Sequence, residues 1–357
     1  MNPILERLDG LTEIFQARAA ALDAEMVFPA ENIADLARIG ALAAPIPRAL
    51  GGLGAGTQAD GAPLLHDILR AIGRAHLPTG RLFEAHVNAL RLIAVYGTHA
   101  QLADAAADAR QGLLFGLWVT DGDDPLRIEG AALQGGKSFC SGAGHVRRAL
   151  VTAQPPQGDP LLVIVRLDES TRARPAALRL QGMRAAVTGA MHLGGLPATP
   201  AEIVGRPGDY LRQPEFSAGA WRTSAVTLGG IEALSLLVRR ELTARGRSAD
   251  PHQLARVGQL LIAQETAMLW SRKSIIAEAD DADPGDRAQY VNLARLAIEA
   301  ASLDILRLAQ RSLGLAAFVA GHPAEILLRD LATYLRQPAP DITLTEAAAF
   351  FIDRPLP

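Results

Sequence analysis

Through the first hundred residues apolar positions recur at three-to-four spacing with charged residues between them, as at Ile33, Leu36, Ala37 and Gly40. Helices that bury one face produce this pattern, and it predicts a helical unit over residues 1–111. Pro45 to Gly56 breaks it, because two prolines and four glycines in that stretch forbid regular structure and predict a loop. A glycine run can cradle phosphate, but a dinucleotide fingerprint needs a strand before it. A helical pattern precedes this one, so it reads as a connection.

From Gly112 to Phe216 the texture changes to short apolar runs cut by Gly and Pro: Leu113 to Thr120, Ala131 to Cys140, Ala149 to Ala153, Leu161 to Leu167 and Ala185 to Leu193. These predict strands and, with no helical pattern among them, a small β-barrel or sandwich over 112–216 rather than a parallel sheet with crossovers. Helical periodicity returns over 217–357. Asp250-Pro251 and Asp283-Pro284 each set a capping carboxylate before a proline and so predict two helix starts. In the second of these helices Val291, Ala294, Ile298, Ala301, Ile305 and Leu308 form an apolar seam wide enough to be either a bundle core or a subunit contact. The expected architecture is α+β and multidomain: an N-terminal helical domain, a middle β domain and a C-terminal helical bundle. The seam adds an expectation of a homodimer or homotetramer.

Composition narrows the chemistry. A net charge of -3 over 357 residues argues against nucleic acid as a partner, since phosphate contacts draw on clustered positive charge. One cysteine, Cys140, leaves no intrachain disulfide and suits a reducing compartment. No basic, apolar leader opens the chain and no run of 18 apolar residues occurs, so a soluble, cytoplasmic protein is expected, without a membrane span. No Gly-x-Ser-x-Gly, His-Glu-x-x-His, Cys-x-x-Cys or P-loop string is present, and the eight histidines are scattered, so no metal site is expected.

Four strings in order carry a resemblance across almost the whole chain. They are Phe28-Pro29-Ala30-Glu31 through Gly51-Gly52-Leu53-Gly54; Trp118-Val119-Thr120 followed by Gly136-Lys137-Ser138-Phe139-Cys140-Ser141-Gly142; Gly182-Met183-Arg184 through Pro207-Gly208; and Gln310 through Gly314 with Arg329-Asp330. Together they resemble the acyl-CoA dehydrogenase family of flavoproteins. The resemblance implies FAD between the barrel and the C-terminal bundle, with Trp118, Val119, Thr120, Phe139 and Ser141 around its ring. It also implies that Arg245, Gln310 and Gly314 hold the adenosine diphosphate part across a subunit boundary. An aromatic wall and hydroxyl donors suit a flavin ring, and a fixed guanidinium suits a pyrophosphate.

The chain departs from that family where the chemistry is done. Thr120-Asp121-Gly122-Asp123-Asp124-Pro125 replaces the usual acyl-CoA loop, and reads as an acidic turn. The two positions that the resemblance assigns to the catalytic glutamate hold Pro338 and Trp221, the latter just before Arg222. Asp341 is the nearest carboxylate, hence the candidate base, with His86 and Arg222 as candidate substrate contacts. Three readings follow. The first is an FAD-dependent oxidoreductase acting on CH–CH groups of an acyl thioester, possible substrates including acyl-CoA. The second is a flavin-dependent monooxygenase of the same fold, which needs no α-proton base and draws electrons from a partner. The third is a noncatalytic binding or assembly subunit.

Overall fold

In the computed structural model, residues 2–167, 172–174, 179–278 and 283–357 are described. Helices open the chain: α1 (Pro3–Glu25), α2 (Ala30–Arg38), α3 (Ala62–Ala75), α4 (Leu77–Tyr96) and α5 (His99–Arg110). Local chemistry sets their starts. Asn2 caps α1 by accepting from the Ile4 amide at 2.9 Å, and Thr98 with Gln101 forms a reciprocal capping box at α5. The Pro45–Gly56 stretch is a loop whose glycines serve packing. A Cβ on Gly52 would lie 2.0 Å from the Ile46 carbonyl oxygen.

The middle of the chain holds strands in three small sheets. β1 (Phe115–Trp118), β5 (Arg148–Ala153), β6 (Leu161–Arg166) and β9 (Ile203–Val204) lie in the order β1-β5-β6-β9. β5, β6 and β9 pair antiparallel, while β1 runs parallel to β5 from Phe115 opposite Arg148. A second antiparallel sheet orders β4 (Gly136–Cys140), β8 (Gly189–His192) and β7 (Ala173–Arg174), and β2 (Arg127–Glu129) pairs with β3 (Ala132–Gln134). Between Lys137 and Cys140 the β4–β8 register shifts, and within that bulge Phe139 takes φ +54°. A bulge re-aims a side chain that regular pleating would fix. Phe139 is accordingly half exposed while its neighbour Cys140 is buried.

Helices close the chain: α6 (Glu215–Ala218), α7 (Ala220–Ala244), α8 (Pro251–Lys273), α9 (Pro284–Leu313), α10 (Pro323–Tyr334) and α11 (Pro340–Phe351). Asp250 and Asp283 cap α8 and α9 by accepting from the amides two and three residues on, as the sequence predicts. α7 packs against α3, α4, α8, α9 and α10. Gly229 on α7 and Gly73 on α3 let the two backbones touch, since a Cβ on either would sit 2.1–2.2 Å from the other helix's carbonyl oxygen. One buried apolar cluster runs from Ile4 on α1 through the strands to Leu335, so helices and sheets share a core. The helix–strand–helix order expected from the sequence is the one observed.

The α9 seam corrects one expectation. Val291, Ala294, Ile298, Ala301, Ile305 and Leu308 are buried within the chain, because α7 and α8 and α11 flank α9 and consume its apolar face. They are not free for a subunit contact. On the adjoining α8, Leu254, Leu261, Ile262 and Leu269 are all exposed. Among the described residues, no helix is long and apolar enough to cross a membrane.

Candidate functional site

A crevice of about 720 Å³ opens where β1 and β4 meet α4, α7, α9 and α11. Its strand wall comprises Leu117, Val119, Thr120, Phe139 and Ser141. Trp118 stands behind that wall. Its ring is buried and its indole N–H donates to the Ser141 carbonyl at 3.1 Å, so it joins the two wall segments but does not line the crevice. Alternation along β1 explains this, because Leu117 and Val119 point one way and Trp118 the other.

Buried Lys137 fixes the same wall from inside. Its ammonium donates to the Asp121 carboxylate at 2.6 Å, the Thr152 hydroxyl at 3.0 Å and the Val119 carbonyl at 3.3 Å. The acidic turn is thereby offset at Asp121. Asp121 pairs with Lys137 and also accepts from the Leu126 amide, while Asp124 pairs with Arg127.

The helical wall is charged, and its charges are mostly paired. Arg91 clasps Glu215 with two hydrogen bonds of 2.7 and 3.1 Å. Burial alone would raise the Glu215 carboxyl, but the Arg91 guanidinium outweighs it and holds the group below the ordinary carboxylate range. Buried Arg222 donates to Glu278 at 2.5 Å and to Asn88 at 2.9 Å, and the indole of Trp221 donates to the same Glu278 oxygen at 2.8 Å. Glu84, buried on α4, accepts from Arg81, Asn88 and Thr223. Burial pushes the Tyr210 phenol up to about 12 and Tyr334 well above its ordinary value, so both remain protonated donors.

The back of the crevice is pinned through α10. The Asp330 carboxylate accepts from the amide of Met183, a crevice residue, at 2.5 Å. Arg329 binds Asp23 on α1 at 2.7 Å, as well as Glu325.

The residues singled out in the sequence divide into groups. Val119, Thr120, Phe139, Ser141 and Arg222 share the crevice. Arg245, Gln310 and Gly314 meet elsewhere, where α7 and α9 end: Arg245 donates to the Leu313 carbonyl at 3.4 Å, and the Gly314 amide to Gln310. None of these three lines the crevice. His86 is not a substrate contact, because its ring is buried, with Nε2 2.8 Å from the Leu42 carbonyl and Nδ1 accepting from the Phe115 amide. Burial lowers its pKa to about 4. Asp341 is also misplaced for a base, since it is exposed in the first turn of α11 and does not line the crevice.

Sequence reasoning passed over Glu84, Glu215, Arg295 and Glu346, all of which line the crevice. A signal existed for Glu84: it follows Arg81 by three residues and precedes Asn88 by four on one helix face.

A sequence model of the acyl-CoA dehydrogenase N-terminal domain matches residues 11–108. Solved structures extend the likeness over the rest of the chain. Methanesulfinate monooxygenase MsuC from Pseudomonas fluorescens superposes with a TM-score of 0.83 at 20% identity, covering 100% of this chain and 98% of that one. The chain has the acyl-CoA dehydrogenase fold. KijD3, solved with FMN and a dTDP-linked amino-keto sugar, gives a TM-score of 0.82 at 22% identity over 98% of this chain and 94% of its own. Dibenzothiophene monooxygenase TdsC from Paenibacillus sp. A11-2 gives 0.79 at 20% identity over 99% and 98%. No curated protein sequence matches the chain. Of the two positions to which the sequence resemblance assigns the glutamate, Pro338 lines the crevice and Trp221 is fully buried.

Proposed function

We propose that this chain is a flavin-dependent monooxygenase of the acyl-CoA dehydrogenase fold. One observation carries the reading: the crevice has a strand wall suited to a flavin, while both positions for an α-proton base lack a carboxylate. Pro338 has no acid to offer, and Trp221 is fully buried with its N–H committed to Glu278. The similarity to KijD3 and TdsC, each solved with FMN, and to two named monooxygenases supports it.

The residues present fit the cofactor. Phe139 offers a half-exposed aromatic face, Thr120 and Ser141 offer hydroxyls, and about 720 Å³ lies within the range of about 300–1,000 Å³ typical of small-molecule pockets. When bound and reduced by a separate reductase, the flavin supplies the activation of dioxygen. The protein's share is placement. Lys137 fixes Val119, the Trp118–Ser141 bond sets the spacing of the two wall segments, and Tyr210 on the facing wall keeps its proton as a donor. Glu84 and Glu215 are engaged by arginines and orient the helical wall.

Acyl-thioester dehydrogenation keeps one foothold, in that Glu346 on α11 lines the crevice. A second copy of the chain is proposed to cover the exposed leucines of α8. Arg245, Gln310 and Gly314, gathered where α7 and α9 end, would serve a nucleotide tail only if the bound flavin were FAD rather than FMN.

The test is the purified protein. A yellow product whose extracted cofactor is FMN, and which after anaerobic reduction incorporates one atom of labelled dioxygen into substrate, supports the reading. Bleaching by an acyl-CoA panel without oxygen would replace it with dehydrogenation. Failure to take up any flavin would leave a binding subunit.

A further inference from the structure

Five arginines line the crevice: Arg81, Arg91, Arg222, Arg295 and Arg336. Four are matched by carboxylates, namely Glu84, Glu215, Glu278 and Glu299 respectively. Arg295, on α9, has no carboxylate within ion-pair distance among the described residues. Its Nη2 donates to the Pro338 carbonyl at 3.0 Å and the Thr343 hydroxyl at 2.5 Å, which ties α9 to the start of α11. Its Nε is buried without a partner, and its Nη1 makes no hydrogen bond among the described residues. Glu299, one turn on, is committed to Arg336 at 2.6 Å, and Glu346 lines the same crevice without pairing to Arg295.

A half-buried guanidinium without a counter-charge is costly, and that cost is relieved when an anion arrives. Burial lowers the proton affinity of Arg295, with Glu299 opposing it. Asn292 and Gln289 precede it on the same helix face, so amide groups adjoin the guanidinium. Arg295 also borders a small separate hollow of about 20 Å³ with Thr223, Tyr334 and Gln337.

We propose that Arg295 is the specificity-determining anchor for a small organic acid, its planar fork binding a terminal carboxylate, sulfinate or sulfonate of a substrate lodged in the crevice. This rests on the flavin-crevice reading above and names its substrate class. The alternative source of an anion is the flavin phosphate. FMN affinity separates the two.

Isothermal titration of the flavin-loaded and flavin-free protein with benzoate, benzenesulfinate and uncharged benzamide tests it. Both acids should bind at least tenfold more tightly than the amide. Arg295→Met should remove that preference while FMN affinity stays within twofold, and Arg295→Lys should keep part of it. Equal binding of acid and amide, or a preference surviving Arg295→Met, overturns the proposal. So does a tenfold loss of FMN affinity in Arg295→Met, which would give the guanidinium to the cofactor phosphate. If no flavin binds at all, the flavin reading fails by itself, and the flavin-free titration still decides Arg295. Should Arg295→Met fail to fold, Arg295→Gln reads the same loss, and an acid preference surviving that variant overturns the proposal equally.

Discussion

The two walls of the crevice are built on opposite principles. The strand wall is neutral, short in sequence and braced from behind by one buried lysine and one indole. The helical wall is assembled from residues as distant as Arg81 and Glu346 and, Arg295 and Glu346 apart, its charges stand in ion pairs. Burying a charge is tolerable only with a partner, so each member of the helical wall depends on the next. Hydroxyls at a surface carry no such debt, which leaves the strand wall free to serve a ligand.

This contrast breaks first at Arg222. Arg222→Met leaves Glu278 deprived of its nearest counter-charge in the interior and should cost about 3–5 kcal/mol in urea unfolding. A cost below about 1 kcal/mol would mean that the helical wall is not interdependent.

Next in size is the pin at the back of the crevice. Burial raises the Asp330 carboxyl from 3.8 to about 7, so the folded state holds the proton more tightly than the unfolded chain. The stability this contributes is full below pH 3.8 and is lost as pH rises through 7. Asp330→Asn keeps an acceptor for the Met183 amide but cannot ionise. Relative to the parent, the variant should gain about 2–3 kcal/mol between pH 5 and pH 8 in unfolding titrations. A pH-independent difference would show that Asp330 ionises normally.

On the strand wall the effects should be smaller and should fall on the ligand. Thr120→Val is expected to leave unfolding free energy within about 0.5 kcal/mol, because Thr120 is exposed, while weakening flavin binding by about 1 kcal/mol, read by fluorescence quenching. Smallest of all, Glu346→Gln should leave oxygen transfer within twofold. Loss of turnover there would make Glu346 a base and favour dehydrogenation.

The same contrast explains what could be read in advance. The strand wall was legible because Val119-Thr120 and Phe139-Cys140-Ser141 are contiguous strings, and the caps at Asp250 and Asp283 were legible because capping acts within three residues. Trp118 was placed on the wrong side for want of β1's alternation phase, and the bulge that turns Phe139 outward has no signature in composition. The α9 seam was real but pointed inward, since periodicity shows that a face is covered and not by what. The helical wall was illegible for a plainer reason. Apart from Arg81 with Glu84, three positions on, its pairs are distant in sequence: Arg222 meets Glu278 56 positions on and Arg91 meets Glu215 124 positions on, and no local pattern encodes which arginine meets which acid there. Asp341 was chosen by proximity in sequence, whereas the carboxylates at the crevice come from α4, α6 and α11.

The tie from Arg295 to Pro338 and Thr343 has a consequence for the order of assembly. Since α11 supplies part of the enclosure and α4 another part, a nascent chain offers no completed chamber until residue 346 has left the ribosome. Uptake of a coloured ligand would then register the final step of folding, and a species with native helicity but no colour would mark a chain halted just before it.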